Sequence, residues 1–141
     1  MLRFTELLFR VVICIFVCHQ VQRNDVRGRS TLQIYQRLSR LRKERSFLSS
    51  KIQFLVVNDN ILSFMRFTRD TAPYLIALNL GDISSTDDYT LLTGLVRGKV
   101  VLYSGTTMKV SDGDVIALSS VSLQPGEGLV AMLVLDEMSA S

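Results

Sequence analysis

The sequence has no Trp, one His, two Cys and two Pro in 141 residues. Each scarcity excludes something. The single His, His19, sits at the end of an apolar run, so neither a Ser-His-Asp nor a Cys-His constellation can be assembled from a histidine in the rest of the chain. Both cysteines, Cys14 and Cys18, lie in that same run, which excludes a disulfide framework for everything that follows. A closed zinc site usually needs four ligands, and Cys14, Cys18 and His19 offer three, so they read as small buried thiols and no metal is expected. Carbohydrate modules usually present aromatic platforms; without Trp, Tyr89 and Tyr103 are too few to make one. No glycine pattern cradles phosphates: Gly94, Gly98 and Gly105 precede no helix in the required spacing, and no cofactor is implied.

Charge is unevenly spread. Residues 1–50 hold ten Lys/Arg against three Asp/Glu, and residues 51–141 hold six against ten. The basic segment contains Arg23, Arg27, Arg29, Arg37, Arg40, Arg42, Lys43 and Arg45, with only Tyr35 and Phe47 as neighbouring aromatics. That is the pattern of a solvated helix face rather than of a nucleic-acid interface.

The run from Val11 to Cys18 is eight apolar residues, too short for a bilayer span of about 20. It suits the core of a secretory signal, with Arg3 and Arg10 on its N-terminal side, and implies secretion or membrane association. Glu6 and the lack of a small-residue cleavage pair depart from that pattern, and a buried hydrophobic segment is the alternative.

Ser30-Thr31-Leu32-Gln33 forms a capping box, and Leu32, Tyr35, Leu38 and Leu41 follow at three-residue steps on one stripe. The spacing predicts an amphipathic helix from Ser30 to about Arg45. One such helix cannot bury its stripe alone. The pattern then changes to period two. Strands are predicted from Ile52 to Val57, Ile61 to Phe67, Tyr74 to Leu80, Tyr89 to Leu95, Lys99 to Tyr103 and Leu129 to Leu135, with shorter apolar runs from Val115 to Leu118 and Val121 to Leu123. Asn58-Asp59-Asn60, Ser111-Asp112-Gly113-Asp114 and Pro125-Gly126 read as turns, and residues 81–88 as a polar loop. The result is a mainly β chain: an antiparallel β-sandwich preceded by one amphipathic helix. The domains are an apolar run and basic linker (1–29), the helix (30–46), the sandwich (47–136) and a frayed tail (137–141).

Acid–base chemistry would need paired carboxylates. Asp59, Asp70, Asp82, Asp87, Asp88, Asp112, Asp114 and Glu127 fall nearly all in predicted turns, where such residues bend and cap the backbone. Asp112-Gly113-Asp114 shares a fragment of a calcium loop but lacks the other ligands and the glutamate at position 12. No catalytic, cofactor-binding or metal residue is named.

Several segments nevertheless form an ordered set: residues 30–43 (STLQIYQRLSRLRK), 44–48 (ERSFL), 57–66 (VNDNILSFMR), 74–81 (YLIALNLG) and 123–130 (LQPGEGLV). This order resembles the C-terminal end of the α-amylase superfamily, most closely the insect-type maltases (α-glucosidases), over about residues 20–135. Residues 20–25 are similar to that family's linker. The resemblance implies that the helix is the last of a (β/α)8 barrel and that the sandwich is the α-amylase-type C-terminal domain. It implies a parent activity on terminal α-1,4-linked glucose. In that family the nucleophile, acid and stabilising carboxylates come from barrel loops upstream of this helix, and no residue here matches them. The chain is therefore expected to be a fragment or truncated relative, non-catalytic alone. It would pack on a missing or separate barrel through Leu32, Tyr35, Leu38 and Leu41, or self-associate. A related portion of an amino-acid transporter heavy chain and a secreted carbohydrate-binding or structural sandwich are the competing readings.

Overall fold

The computed structural model describes residues 31–44, 51–105 and 109–135, with side chains of the helix from Gln36 onward. The apolar run at 11–18, the capping Ser30 and the side chains of Leu32 and Tyr35 lie outside what is described. Helix α1 spans Thr31–Leu41. Eight strands follow: β1 Lys51–Leu55, β2 Ile61–Phe67, β3 Tyr74–Asn79, β4 Ser85–Asp87, β5 Arg97–Tyr103, β6 Val115–Ala117, β7 Val121–Leu123 and β8 Gly128–Val134. A short helix α2, Thr90–Thr93, lies between β4 and β5.

Among the described residues every strand pairing is antiparallel. Six strands form one sheet in the order β1-β2-β3-β8-β5-β6, and β4 pairs with β7 in a second, two-stranded sheet. The closing strand β8 therefore inserts at the centre of the large sheet, between β3 and β5.

The large sheet is covered on both faces. One face packs Leu75, Ala77, Leu129, Ala131 and Leu133 against Val121 and Leu123 of the small sheet and against Tyr89 and Leu118. The other packs Phe64, Tyr74, Ile76, Leu78, Leu102 and Val130 around Leu38 of α1. Double coverage explains the sequence of the central strands. All six residues of β3, Tyr-Leu-Ile-Ala-Leu-Asn, are buried, so the strand is a near-continuous apolar run without strict alternation. On β5 the register shifts between Val100 and Leu102. Val101 and Leu102 consequently both pack on the helix side, while Val100 and Tyr103 face the small sheet.

Two sequence expectations need correction. The predicted strand from Tyr89 to Leu95 is instead α2. Asp88 Oδ1 accepts from the Thr90 amide (2.8 Å) and hydroxyl (2.6 Å), which starts a turn. Gly94, at φ 72°, ends it and donates its N–H to Thr90 O (2.9 Å). The two hydrogen bonds from Thr90, the hydroxyl first and the backbone amide second, hold the Asp88 carboxyl below the usual range. The predicted loop at 81–88 contains β4, whose Ser85, Thr86 and Asp87 pair with Leu123, Ser122 and Val121. The Thr86 and Ser122 hydroxyls meet at 2.8 Å, a polar pairing invisible to a search for apolar alternation.

Tyr89 is buried against the small-sheet side of the core. Its hydroxyl has no hydrogen-bond partner, and the neighbouring Ser63 hydroxyl donates to Leu55 O instead (2.6 Å). Burial pushes the phenol up to about 12, with Ser63 opposing and Asp87 adding to the shift. Below pH 10 the group is neutral folded and unfolded. Between about pH 10 and 12 only the unfolded chain ionises, so stability falls as pH rises through that window. Tyr89→Phe is expected to remove this component of the alkaline loss and to raise stability at neutral pH by about 1 kcal/mol, the cost of the unmade bond. Urea titrations at pH 7 and pH 11 measure both.

Candidate functional site

The polar residues of the described chain converge on structural nodes. The first is Asn79, buried at the end of β3. Its amide donates to Ile83 O and Leu123 O (both 2.9 Å), and its carbonyl oxygen accepts from the Gly81 N–H (3.0 Å). Its main chain bonds to Glu127 O and Gly126 N. One side chain thus ties the large sheet to the β7–β8 turn and to the 81–84 loop.

The second node is Glu127, 2% exposed. Its Oε2 accepts from the Tyr103 hydroxyl (3.0 Å) and from the Gln124 N–H (2.9 Å). Gly105 lies against the same carboxylate: a Cβ there would sit 2.2 Å from its carboxyl carbon. The third node is the Asn58-Asp59-Asn60 turn. Asn58 Nδ2 donates to Ser85 Oγ (2.7 Å) and Asp87 Oδ1 (2.8 Å), and Ser85 Oγ donates to Asp87 Oδ2 (2.7 Å). Asn58 Oδ1 accepts from the Asn60 N–H (2.8 Å), closing the turn.

The carboxylates are dispersed among these tasks. Asp87 belongs to the third node, Glu127 to the second, and Asp88 caps α2. Asp114 accepts from the Ser111 N–H (2.8 Å) and closes its turn. Asp112 forms an ion pair with Arg37, fastening α1 to the 111–114 turn. Asp59, Asp70 and Asp82 lie exposed on three different loops. Among the described residues no three His, Cys, Asp or Glu side chains converge as metal ligands, and no helix is long and apolar enough to cross a membrane.

The stripe named from the sequence is engaged in part. Leu38 is 1% exposed and sits at the centre of the helix-side core, with Leu41 half-buried beside it. Between α1 and β5 lies an open groove of about 230 Å³, lined by Arg37, Arg40, Leu41, Glu44 and Val101. Arg66, the last residue of the 57–66 segment, is buried on the helix side of the sheet; burial lowers its pKa to about 10, which leaves it cationic at neutral pH. Tyr74, its cross-strand neighbour, is raised by burial and by the charge of Glu44.

The described polar side chains are engaged at turns and strand ends. The chain is 33% identical over 106 residues to Maltase A1 of Drosophila melanogaster, covering 75% of this chain and 18% of that protein. The chain resembles the C-terminal part of an α-amylase superfamily glycoside hydrolase of the insect-maltase type. Its fold recurs in the isomaltulose synthase of Klebsiella sp. LX3, with TM-score 0.61 and 21% identity over 80% of this chain and 19% of that one. It recurs again in the isomaltulose synthase of Protaminobacter rubrum, with TM-score 0.61 and 22% identity over 84% and 20%. No protein-family profile matches. The chain spans about a fifth of the length of these relatives. They are carbohydrate enzymes, and they lend the transporter reading no support.

The motif segments that carry the maltase resemblance are the structural nodes. Asn58 and Asn60 form the hairpin turn, Asn79 and Gly81 the end of β3, and Glu127 the anchor of the β7–β8 turn. Gly81 is needed because a Cβ there would come within 2.6 Å of Asn60 Cβ.

Proposed function

We propose that this chain serves as the accessory β-sandwich of a maltase-like protein acting on terminal α-1,4-linked glucose, seated against a catalytic barrel and contributing no catalytic group. The observation that carries the reading is the likeness to Maltase A1 over three quarters of the chain. The dispersal of the described carboxylates supports it, because a retaining glycosidase needs two of them about 5–5.5 Å apart on a rigid scaffold. Leu38 is taken up by the chain's own sheet, so the contact with a barrel falls to the rest of the stripe, Leu32, Tyr35 and the half-buried Leu41, and to the outer face of α1. On the same reading the apolar run at 11–18 acts as a leader for secretion or membrane association.

The purified chain is expected to release no glucose from maltose or sucrose above a no-protein blank. A coupled glucose assay on protein taken through two orthogonal columns tests this. Turnover that co-elutes with the chain and disappears on changing one of its carboxylates would contradict the proposal.

A further inference from the structure

Asp112 is followed by Gly113, and no other Asp or Asn in the sequence precedes a glycine. In such a pair the glycine amide nitrogen can attack the aspartate carboxyl, because the second residue has no side chain to obstruct the approach. The space about Gly113 is open: a Cβ added there would meet nothing within 4 Å. The pair forms the corner of the 111–114 turn, where Gly113 takes φ 93°.

Both reacting groups are restrained. The electrophile, the Asp112 carboxylate, is held in the ion pair with Arg37 of α1. The nucleophile, the Gly113 N–H, donates to Val100 O of β5 (2.7 Å). The Val100 N–H donates in turn to Asp114 O (2.8 Å), and the Asp114 N–H closes the turn on Ser111 O (3.1 Å). One restraint therefore comes from the helix and the other from the sheet.

We propose that Asp112-Gly113 is a backbone isomerisation site, kept unreacted by the docked helix. The step is intramolecular. The Gly113 nitrogen bonds to Asp112 Cγ, the Cγ–OH bond breaks, and the hydroxyl leaves with the amide proton as water. One water then opens the five-membered succinimide. Opening at Cγ restores aspartate. Opening at the main-chain carbonyl carbon of Asp112 leaves the chain running through Cγ, as isoaspartate. The reactive form is the neutral carboxyl, because an ionised oxygen is a poor leaving group, so the carboxylate must first leave Arg37. The product has one more methylene in its main chain, and the turn can no longer present Gly113 to Val100 and Asp112 to Arg37 together. The inference does not depend on the glycosidase reading.

The test follows isoaspartate at residue 112 of the full chain during weeks of incubation at neutral pH. Electron-transfer fragmentation of the peptide holding Asp112 reads the isomer, and circular dichroism verifies folding. The folded wild-type chain is expected to isomerise at least about tenfold more slowly than the same chain in urea, the combined scale of one hydrogen bond and one exposed ion pair. Arg37 is 47% exposed, so Arg37→Gln should stay folded. It should isomerise roughly threefold to fivefold faster than wild type, whereas Arg37→Lys and the exposed control Lys43→Gln should stay near wild type. Sodium chloride at about 1 M screens such a pair, and should speed the wild-type chain without altering Arg37→Gln; the salt series needs no variant to fold. Equal rates in the folded and the urea-unfolded chain, no isoaspartate in either, a wild-type rate indifferent to salt, a folded Arg37→Gln no faster than wild type, or Lys43→Gln as fast as Arg37→Gln would each overturn the proposal.

Discussion

Leu38→Asp is expected to destabilise the chain by about 4 kcal/mol and to free α1 from the sheet. Leu38 is enclosed by Phe64, Tyr74, Ile76, Leu78, Leu102 and Val130, drawn from four strands. Removing a buried leucine side chain alone costs about 2–5 kcal/mol, because neighbours held in a sheet cannot collapse into the space. The aspartate adds the cost of a carboxylate in an apolar layer, which the chain avoids by undocking the helix. Undocking uncovers one face of the central strands, whose sequences are apolar on both sides. Chemical denaturation and 8-anilinonaphthalene-1-sulfonate binding report the two effects: a lower midpoint, and dye fluorescence already in the native baseline. Leu38→Met should cost less than about 1.5 kcal/mol, since volume and polarity are nearly conserved. If the aspartate variant melts like the wild type, the helix is not packed on the sheet.

Glu127→Ala should cost about 3 kcal/mol for a different reason. The buried carboxylate holds the buried Tyr103 hydroxyl and the part-buried backbone N–H of Gln124. Truncation strands the buried Tyr103 hydroxyl, at about 1–3 kcal/mol for a buried donor left unmade, and frees the part-buried Gln124 N–H from the turn. The loss falls on the β7–β8 turn, which delivers the central strand β8 to its place. Glu127→Gln retains an acceptor oxygen and should recover much of the stability. Gly105→Ala should resemble the alanine variant, because its methyl group would displace the carboxylate. Thermal melts of the three variants decide the matter; a Gln variant no better than the Ala variant would mean that the carboxylate acts through charge rather than as an acceptor.

The sequence made the apolar architecture legible and left the polar architecture hidden. β2 runs from Ile61 to Phe67 as the period-two pattern indicates. β3 and β8 differ from expectation by one residue at their ends, because doubly buried strands announce themselves as unbroken apolar runs. α1 ends at Leu41, earlier than the expected Arg45, and its stripe correctly marks Leu38 as buried. Two elements went astray because local hydrogen bonds, not apolar spacing, decide them. Asp88 and Gly94 bracket a helical turn around residues of high strand propensity, and Leu91 gains nothing from burial there. β4 is a polar strand stabilised by hydroxyl and amide pairs. Asn79 reads as the end of a strand, which it is, and Glu127 as a residue beside a turn. Their partners, Leu123 and Tyr103, lie 44 and 24 residues away, a distance that no local pattern reports. The one available signal was the ordered set of family segments, and those segments contain the nodes.

The accessory role is tested most directly by supplying the chain in trans to a maltase deprived of the matching part. Maltase A1 lacking the 106-residue region that this chain matches would be mixed with the purified chain, and its melting temperature and glucose release from maltose followed as the chain is titrated. The account predicts a saturable rise in both, with no activity from the chain alone. A chain that neither binds nor stabilises the truncated enzyme, under conditions where the excised maltase segment itself does, would contradict it.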